Sequence, residues 1–178
     1  MTPRIRLATH DDLPVLTRLI DASVRELSRG YYTPEEIESG LTYVFGVDTQ
    51  LIDDGTYYVI ELDGEIAAAG GWSRRDTLFG GDQRKAADDP LLDPAVDAAR
   101  IRAFFVHPRY TRRGLGRAMF DTCLAAARQH GFKRFELAAT LPGEPLYTAL
   151  GFTRVEHTPV ALPDGRTLPL TRMSRPIE

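Results

Sequence analysis

Arg112-Arg113-Gly114-Leu115-Gly116-Arg117 joins an apolar, strand-like stretch ending at Val106-His107-Pro108 to a helix-period stretch that begins near Leu115. No other feature constrains the chain as much. A strand that runs through a glycine turn into a helix gathers main-chain donors at one point. Glycine lets the backbone approach a ligand closely and adopt dihedrals closed to other residues. The helix start leaves several N–H groups unpaired at the positive end of its dipole, a setting that suits a diphosphate. The helix carries Leu115, Met119, Cys123, Ala126 and Ala127 on one stripe, with Arg117, Asp121, Arg128 and Gln129 outward, and it stops at His130-Gly131. Two familiar glycine motifs do not fit. A P-loop needs Lys and Ser or Thr after its last glycine, where Arg117-Ala118 stand, and Met119 occupies the third glycine of a dinucleotide fingerprint. Taken alone, the turn also fits a helix cap with no ligand.

The next segment narrows the choice. Phe135, Leu137 and Ala139 alternate as a short strand, Thr140-Leu141-Pro142-Gly143-Glu144-Pro145 makes a turn, and in the run Leu146 to Phe152 that follows Tyr147 sits on a short helix that ends at Gly151. The two parts, in this order and spacing, resemble the GCN5-related N-acetyltransferase (GNAT) superfamily over roughly residues 100 to 153. The resemblance implies a single domain over 1–178: an α/β (α+β) fold with a mixed, mainly antiparallel sheet of about seven strands and helices on both faces. It also implies acetyl-CoA as co-substrate, with its pyrophosphate held by the backbone of Arg112, Arg113, Gly114, Leu115, Gly116 and Arg117 and its pantetheine along Phe104, Phe105 and Val106. The thiolate proton is implied to come from Tyr147, whose position also suits simple packing. Two departures stand out. Thr111 occupies the place where the family's loop usually opens with Gln or Arg, and Thr140 replaces an Asn common before the tyrosine helix.

Composition sets outer limits. A chain of 178 residues, 43% of them hydrophobic, can bury a full core within one domain. A net charge of -3 argues against a general nucleic-acid binder, although Arg109, Arg112, Arg113 and Arg117 form a local phosphate field. The single Cys123 cannot pair internally and, on the apolar stripe, reads as a buried structural thiol. No apolar run approaches the ~20 residues of a membrane span, and Arg4 and Arg6 precede no apolar leader core. A cytoplasmic protein with no membrane partner is expected.

Elsewhere the pattern predicts an opening strand at Arg4 to Ala8, a helix over Leu13, Leu16, Leu19 and Ile20, and a second helix from Thr33-Pro34 to about Phe45. Two strands flank the tight Asp63-Gly64 turn. Residues 74 to 99 lack periodicity and read as a lid on the substrate side. Thr153 to Leu162 and Thr167 to Ser174 read as strands joined by a turn.

Acetyl transfer to an amine needs a deprotonated nucleophile, a polarised carbonyl and a proton for the leaving thiolate. The expected route is direct attack by a primary amine of a small molecule or peptide, with no metal and no acyl-enzyme. No base is evident: Arg100 to Val106 holds no acid, and Glu136, Glu61, His107 and a water chain stay open. The resemblance implies an acceptor pocket near Tyr31, Tyr32, Trp72, Arg74 and Arg75, where the aromatics suit a cationic or ring-bearing amine and Arg74, Arg75 and Arg102 a carboxylate or phosphate, against a core role for Trp72 and paired or solvated arginines. A non-catalytic acyl-CoA sensor, or a transferase for another acyl group, remains as an alternative, and the resemblance admits a homodimer.

Overall fold

Side-chain caps start two of the helices, at Thr33 and Asp48, and a proline or glycine lies within two residues of most strand ends. The computed structural model describes residues 2–85 and 88–178. In chain order it contains β1 (Arg4–Leu7), α1 (Leu13–Leu27), α2 (Pro34–Tyr43), α3 (Thr49–Asp53), β2 (Tyr57–Leu62), β3 (Glu65–Ser73) and β4 (Ala99–Val106), followed by α4 (Leu115–Gln129), β5 (Arg134–Thr140), α5 (Glu144–Ala149), β6 (Thr153–His157), β7 (Val160–Ala161), β8 (Thr167–Leu168) and β9 (Leu170–Pro176). Thr33 and Glu36 form a reciprocal capping box at the start of α2. The short α3, which hydrophobic periodicity does not announce, is capped by the Asp48 side chain accepting from the Gln50 amide at 3.0 Å. Asp63 and Gly64 both take positive φ, as a two-residue hairpin turn between β2 and β3 requires.

Seven strands form one sheet in the order β1-β2-β3-β4-β5-β9-β6, and only β4 and β5 run parallel. The two strands expected after the tyrosine helix are each split. β6 ends before Pro159 and β8 before Pro169, because proline lacks the N–H that a ladder needs. The pieces β7 and β8 pair apart as a two-stranded ribbon. One face of the sheet packs on α4 through Trp72, Ile101, Phe120, Phe135, Leu137 and Met173. The opposite face carries Leu16 and Leu19 of α1 against Tyr57 and Val59, and beside them Ile20 and Val24 against Leu168 and Leu170.

Two irregularities create the site. The β4–β5 ladder is confined to Ala99↔Phe135 and Arg100↔Glu136. Beyond it β5 stays with β9 along its whole length while β4 stays with β3, so the strands part. Within β4, Ala69 faces Phe105 and Gly71 faces Arg102, which leaves Ala103 and Phe104 opposite Gly70 alone, a bulge. Ala103 takes φ +52, and the Tyr57 hydroxyl pins its carbonyl at 2.9 Å. Gly70 is required here, since a Cβ would sit 2.4 Å from Cδ1 of Phe104 and 2.5 Å from Sδ of Met119.

Candidate active site

A cleft of about 660 Å³ opens where β4 and β5 separate. One end is the glycine turn. Arg112 at φ +59 and Gly114 at φ +78 bend the chain so that α4 starts toward the cleft, whose lining includes Arg112, Gly114, Leu115, Gly116 and Arg117. Gly114 is the N-cap and has no side chain to offer, so the first-turn amides of α4 receive no cap from it. The first intrahelical bond is Ala118 N to Gly114 O at 3.0 Å. A Cβ at Gly116 would lie 2.9 Å from Cδ2 of Leu146, so this glycine lets α5 close against the head of α4. The Arg113 side chain stacks over Tyr110, guanidinium carbon 5.3 Å from the ring centre, and Arg113 is not among the cleft-lining residues. An uncapped helix start with room for close approach fits the pyrophosphate of coenzyme A.

The middle of the cleft is β4, β5 and α5. The bulge turns Phe104 toward α4 and Phe105 toward α1 and α2, and both line the opening with Val106. Tyr147 also lines it, its ring centre 6.2 Å from Phe104 and 5.8 Å from Phe152. Burial pushes the Tyr147 phenol well above its ordinary value, so it stays protonated across the neutral range. Thr140, the departure from the family's Asn, spends its hydroxyl accepting from the Gly143 amide at 3.1 Å and so shapes the turn into α5.

The far end is built from the end of α1, the segment after α2 and part of the 74–99 stretch expected on the substrate side. It is lined by Ser23, Val24 and Leu27 of α1, by Ser28 just beyond it, by Val44, Phe45 and Gly46 after α2, and by Leu78, Phe79, Gly80 and Gly81. Two backbone bonds zip these segments together, Gly81 N to Val44 O at 2.8 Å and Asp82 N to Val47 O at 2.9 Å. The paired glycines were the available signal, since a Cβ on Gly81 would meet the Gly46 carbonyl at 2.7 Å. The described residues of the 74–99 stretch thus wall the cleft on the expected side and are tied to the rest of the domain by hydrogen bonds and an ion pair. Asp76 and Leu92 donate to the carbonyls of Pro90 and Arg74, and Arg75 pairs with Asp54 at 2.7 Å. Arg102, with a side chain only 1% exposed, donates to Asp48 at 2.9 Å, to the Gly80 carbonyl at 2.5 Å and to the Thr77 carbonyl at 3.3 Å. Asp48 in turn receives Lys85 at 2.7 Å.

Tyr31, Tyr32, Trp72 and Arg74, expected at the acceptor pocket, are not among the cleft-lining residues. Tyr31 is exposed. Tyr32 is buried, its hydroxyl donating to Pro169 O and accepting from Leu141 N; burial pushes its phenol up to about 12. Trp72 packs in the core against Phe132 and His130. Arg74 follows the end of β3, its carbonyl accepting from Leu92. Arg75 is held by Asp54. The three candidate bases are likewise occupied outside the cleft. Glu136 bridges Arg100 and Arg172, Glu61 pairs with Arg6, and His107 Nδ1 accepts from the Arg109 amide. Cys123 is fully buried, and burial pushes its thiol up, which suits a core residue.

The architecture recurs in solved structures. A GCN5-related N-acetyltransferase from Rhodopseudomonas palustris superposes with a TM-score of 0.73 at 19% identity, over 99% of this chain and 96% of that one. The PaiA N-acetyltransferase of Thermoplasma acidophilum, in complex with coenzyme A, gives 0.63 at 12% identity over 99% of each chain. YncA, a putative acetyltransferase from Salmonella typhimurium with acetyl-CoA, gives 0.64 at 19% identity over 100% and 95%. The family pattern for acetyltransferases matches residues 22–152, most of the chain and all of the described cleft-forming strands and α4. With the parted strands, the uncapped glycine turn and that match together, the chain belongs to the acetyltransferase (GNAT) family.

Proposed function

We propose that this chain, as one domain, transfers an acetyl group from acetyl-CoA to a primary amine by direct attack within a ternary complex. One observation carries the reading: a single cleft joins the uncapped amides of α4, the Tyr147 phenol and an apolar far end. The coenzyme A and acetyl-CoA complexes of the Thermoplasma and Salmonella proteins support the choice of co-substrate. Bound acetyl-CoA supplies an activated acyl group as a thioester. The amides of Gly114 to Arg117 and the charge of Arg112 and Arg117 hold its diphosphate, while Phe104, Phe105 and Val106 flank the arm. Tyr147 holds a proton at its Oη for the departing sulfur. Phe45, Phe79 and Leu27 keep water from the acceptor end.

A sensor that binds acyl-CoA without turnover is the second reading, favoured by the lack of any Asp or Glu among the cleft-lining residues. Calorimetry with coenzyme A, followed by free-thiol release from acetyl-CoA over an amine panel, separates the two. Binding with release supports the transferase, binding without release the sensor, and no heat at millimolar ligand refutes both.

A further inference from the structure

The acceptor end contains an asymmetry of charge. Val24, Leu27, Val44, Phe45, Leu78 and Phe79 make it apolar. The charged side chain that reaches it is a cation, Arg102, already engaged with Asp48 and two carbonyls. Every other titratable or charged group lining the cleft is a phenol or an arginine: Tyr147 on α5, Tyr110 after β4, Arg112 in the turn and Arg117 on α4. Glu144 of α5 is tied to Arg154, and Asp48 lies wholly buried behind Arg102. Among the described cleft-lining residues, no carboxylate is therefore placed to attract an ammonium group or to strip its extra proton.

Resting on the transferase reading above, we propose that the acceptor is an apolar primary amine weakly basic enough to arrive uncharged, with no carboxylate or imidazole base taking part. Proton balance agrees with this cleft. As a neutral amine forms its bond to the acyl carbon and the carbon–sulfur bond breaks, nitrogen gives up one proton and sulfur gains one. Tyr147 Oη can pass its proton to sulfur and be refilled from nitrogen, directly or through water, so nothing is left over. An ammonium brings one proton more, and the cleft offers no carboxylate to take it. The discrimination is large. At pH 7 an α-amine of pKa about 7.8 is roughly one part in seven neutral, whereas a lysine-type amine of pKa about 10.4 is neutral in only about one part in 2,500. Availability of the neutral form therefore favours the weaker base of a matched apolar pair by roughly 350-fold, before the stronger base's greater nucleophilicity offsets part of it.

The test uses the full chain, acetyl-CoA and free-thiol detection. Phenylalanine amide is compared with phenethylamine, and kcat/KM is followed against pH for benzylamines of graded basicity. The expected result is a strong preference for phenylalanine amide and an inflection that moves one for one with each benzylamine's own pKa. An inflection at one fixed pH across the series would reveal a protein base and overturn this inference while leaving the transferase reading intact. A spermidine-like polycation turned over as fast as phenylalanine amide at pH 7 would do the same. Coenzyme A binding with no thiol release from any amine would overturn the transferase reading itself, and this inference with it.

Discussion

Replacing Asp48 with Asn should cost this protein about 3 kcal/mol and loosen one wall of its cleft. The Asp48 and Arg102 side chains are 0% and 1% exposed and meet at 2.9 Å. Removing one partner of such a buried pair typically costs ~3–5 kcal/mol, because the other charge stays desolvated without compensation. The lower figure applies for two reasons. Lys85 is partly exposed and can shift to Asp89, 3.5 Å away, so only Arg102 is stranded. The Asn oxygen can still accept from the Gln50 amide and cap α3. For a domain of this size the loss corresponds to a melting-temperature drop of roughly 6–12 °C. Urea unfolding should show a lower midpoint at unchanged slope. The double variant Asp48→Asn with Arg102→Met keeps the α3 cap and strands no arginine charge, so it should lose less than its two single variants summed. Because Arg102 also holds the carbonyls of Thr77 and Gly80, Asp48→Asn should raise the acceptor KM more than it weakens coenzyme A binding. A loss below about 1 kcal/mol, or a cycle additive within ~0.5 kcal/mol, would refute the argument that this pair bolts the wall.

Other expectations follow from single groups. Tyr147→Phe keeps the ring against Phe104 and Phe152 but removes the donor; kcat should fall by about 10²–10⁴ with coenzyme A affinity nearly unchanged, and an unaltered rate would remove Tyr147 from the chemistry. Gly114→Val has room for its side chain but not for its φ of +78, so stability should fall by about 1–2 kcal/mol and coenzyme A binding by at least ~10-fold in calorimetry. Hydrogen bonds from Arg6 hold the Asp12 carboxyl below its ordinary range. A lowered carboxyl stabilises the fold above the unfolded carboxylate value and loses that contribution as pH falls through its folded value. The urea midpoint should therefore decline below about pH 4, and less steeply in Arg6→Gln. Native Cys123 should resist thiol reagents until urea unfolds the chain.

Local chemistry is legible in the amino-acid sequence. The glycine turn, the helix from Leu115 and the Asp63-Gly64 hairpin were readable because each rests on a few adjacent residues with strong backbone preferences. The Tyr147 helix was readable for the same reason. The β6–β7 and β8–β9 breaks were also written in the chain, at Pro159 and Pro169, but a period-two pattern reads across a proline that a ladder cannot cross.

What only the tertiary structure decided is which distant segments face one another. Tyr31, Tyr32, Trp72 and Arg74 have the chemistry of a binding pocket, yet packing spends Trp72 on the core and Tyr32 on tying Pro169 to Leu141. Leu27, Phe45 and Phe79, ordinary apolar residues in three separate stretches, line the cleft instead. They are gathered by bonds between residues far apart in the chain, Gly81 to Val44 and Arg102 to Asp48. Backbone preference acts over neighbours, so the anion-binding turn could be read from its letters. The acceptor wall depends on long-range pairing and burial, which no local window contains.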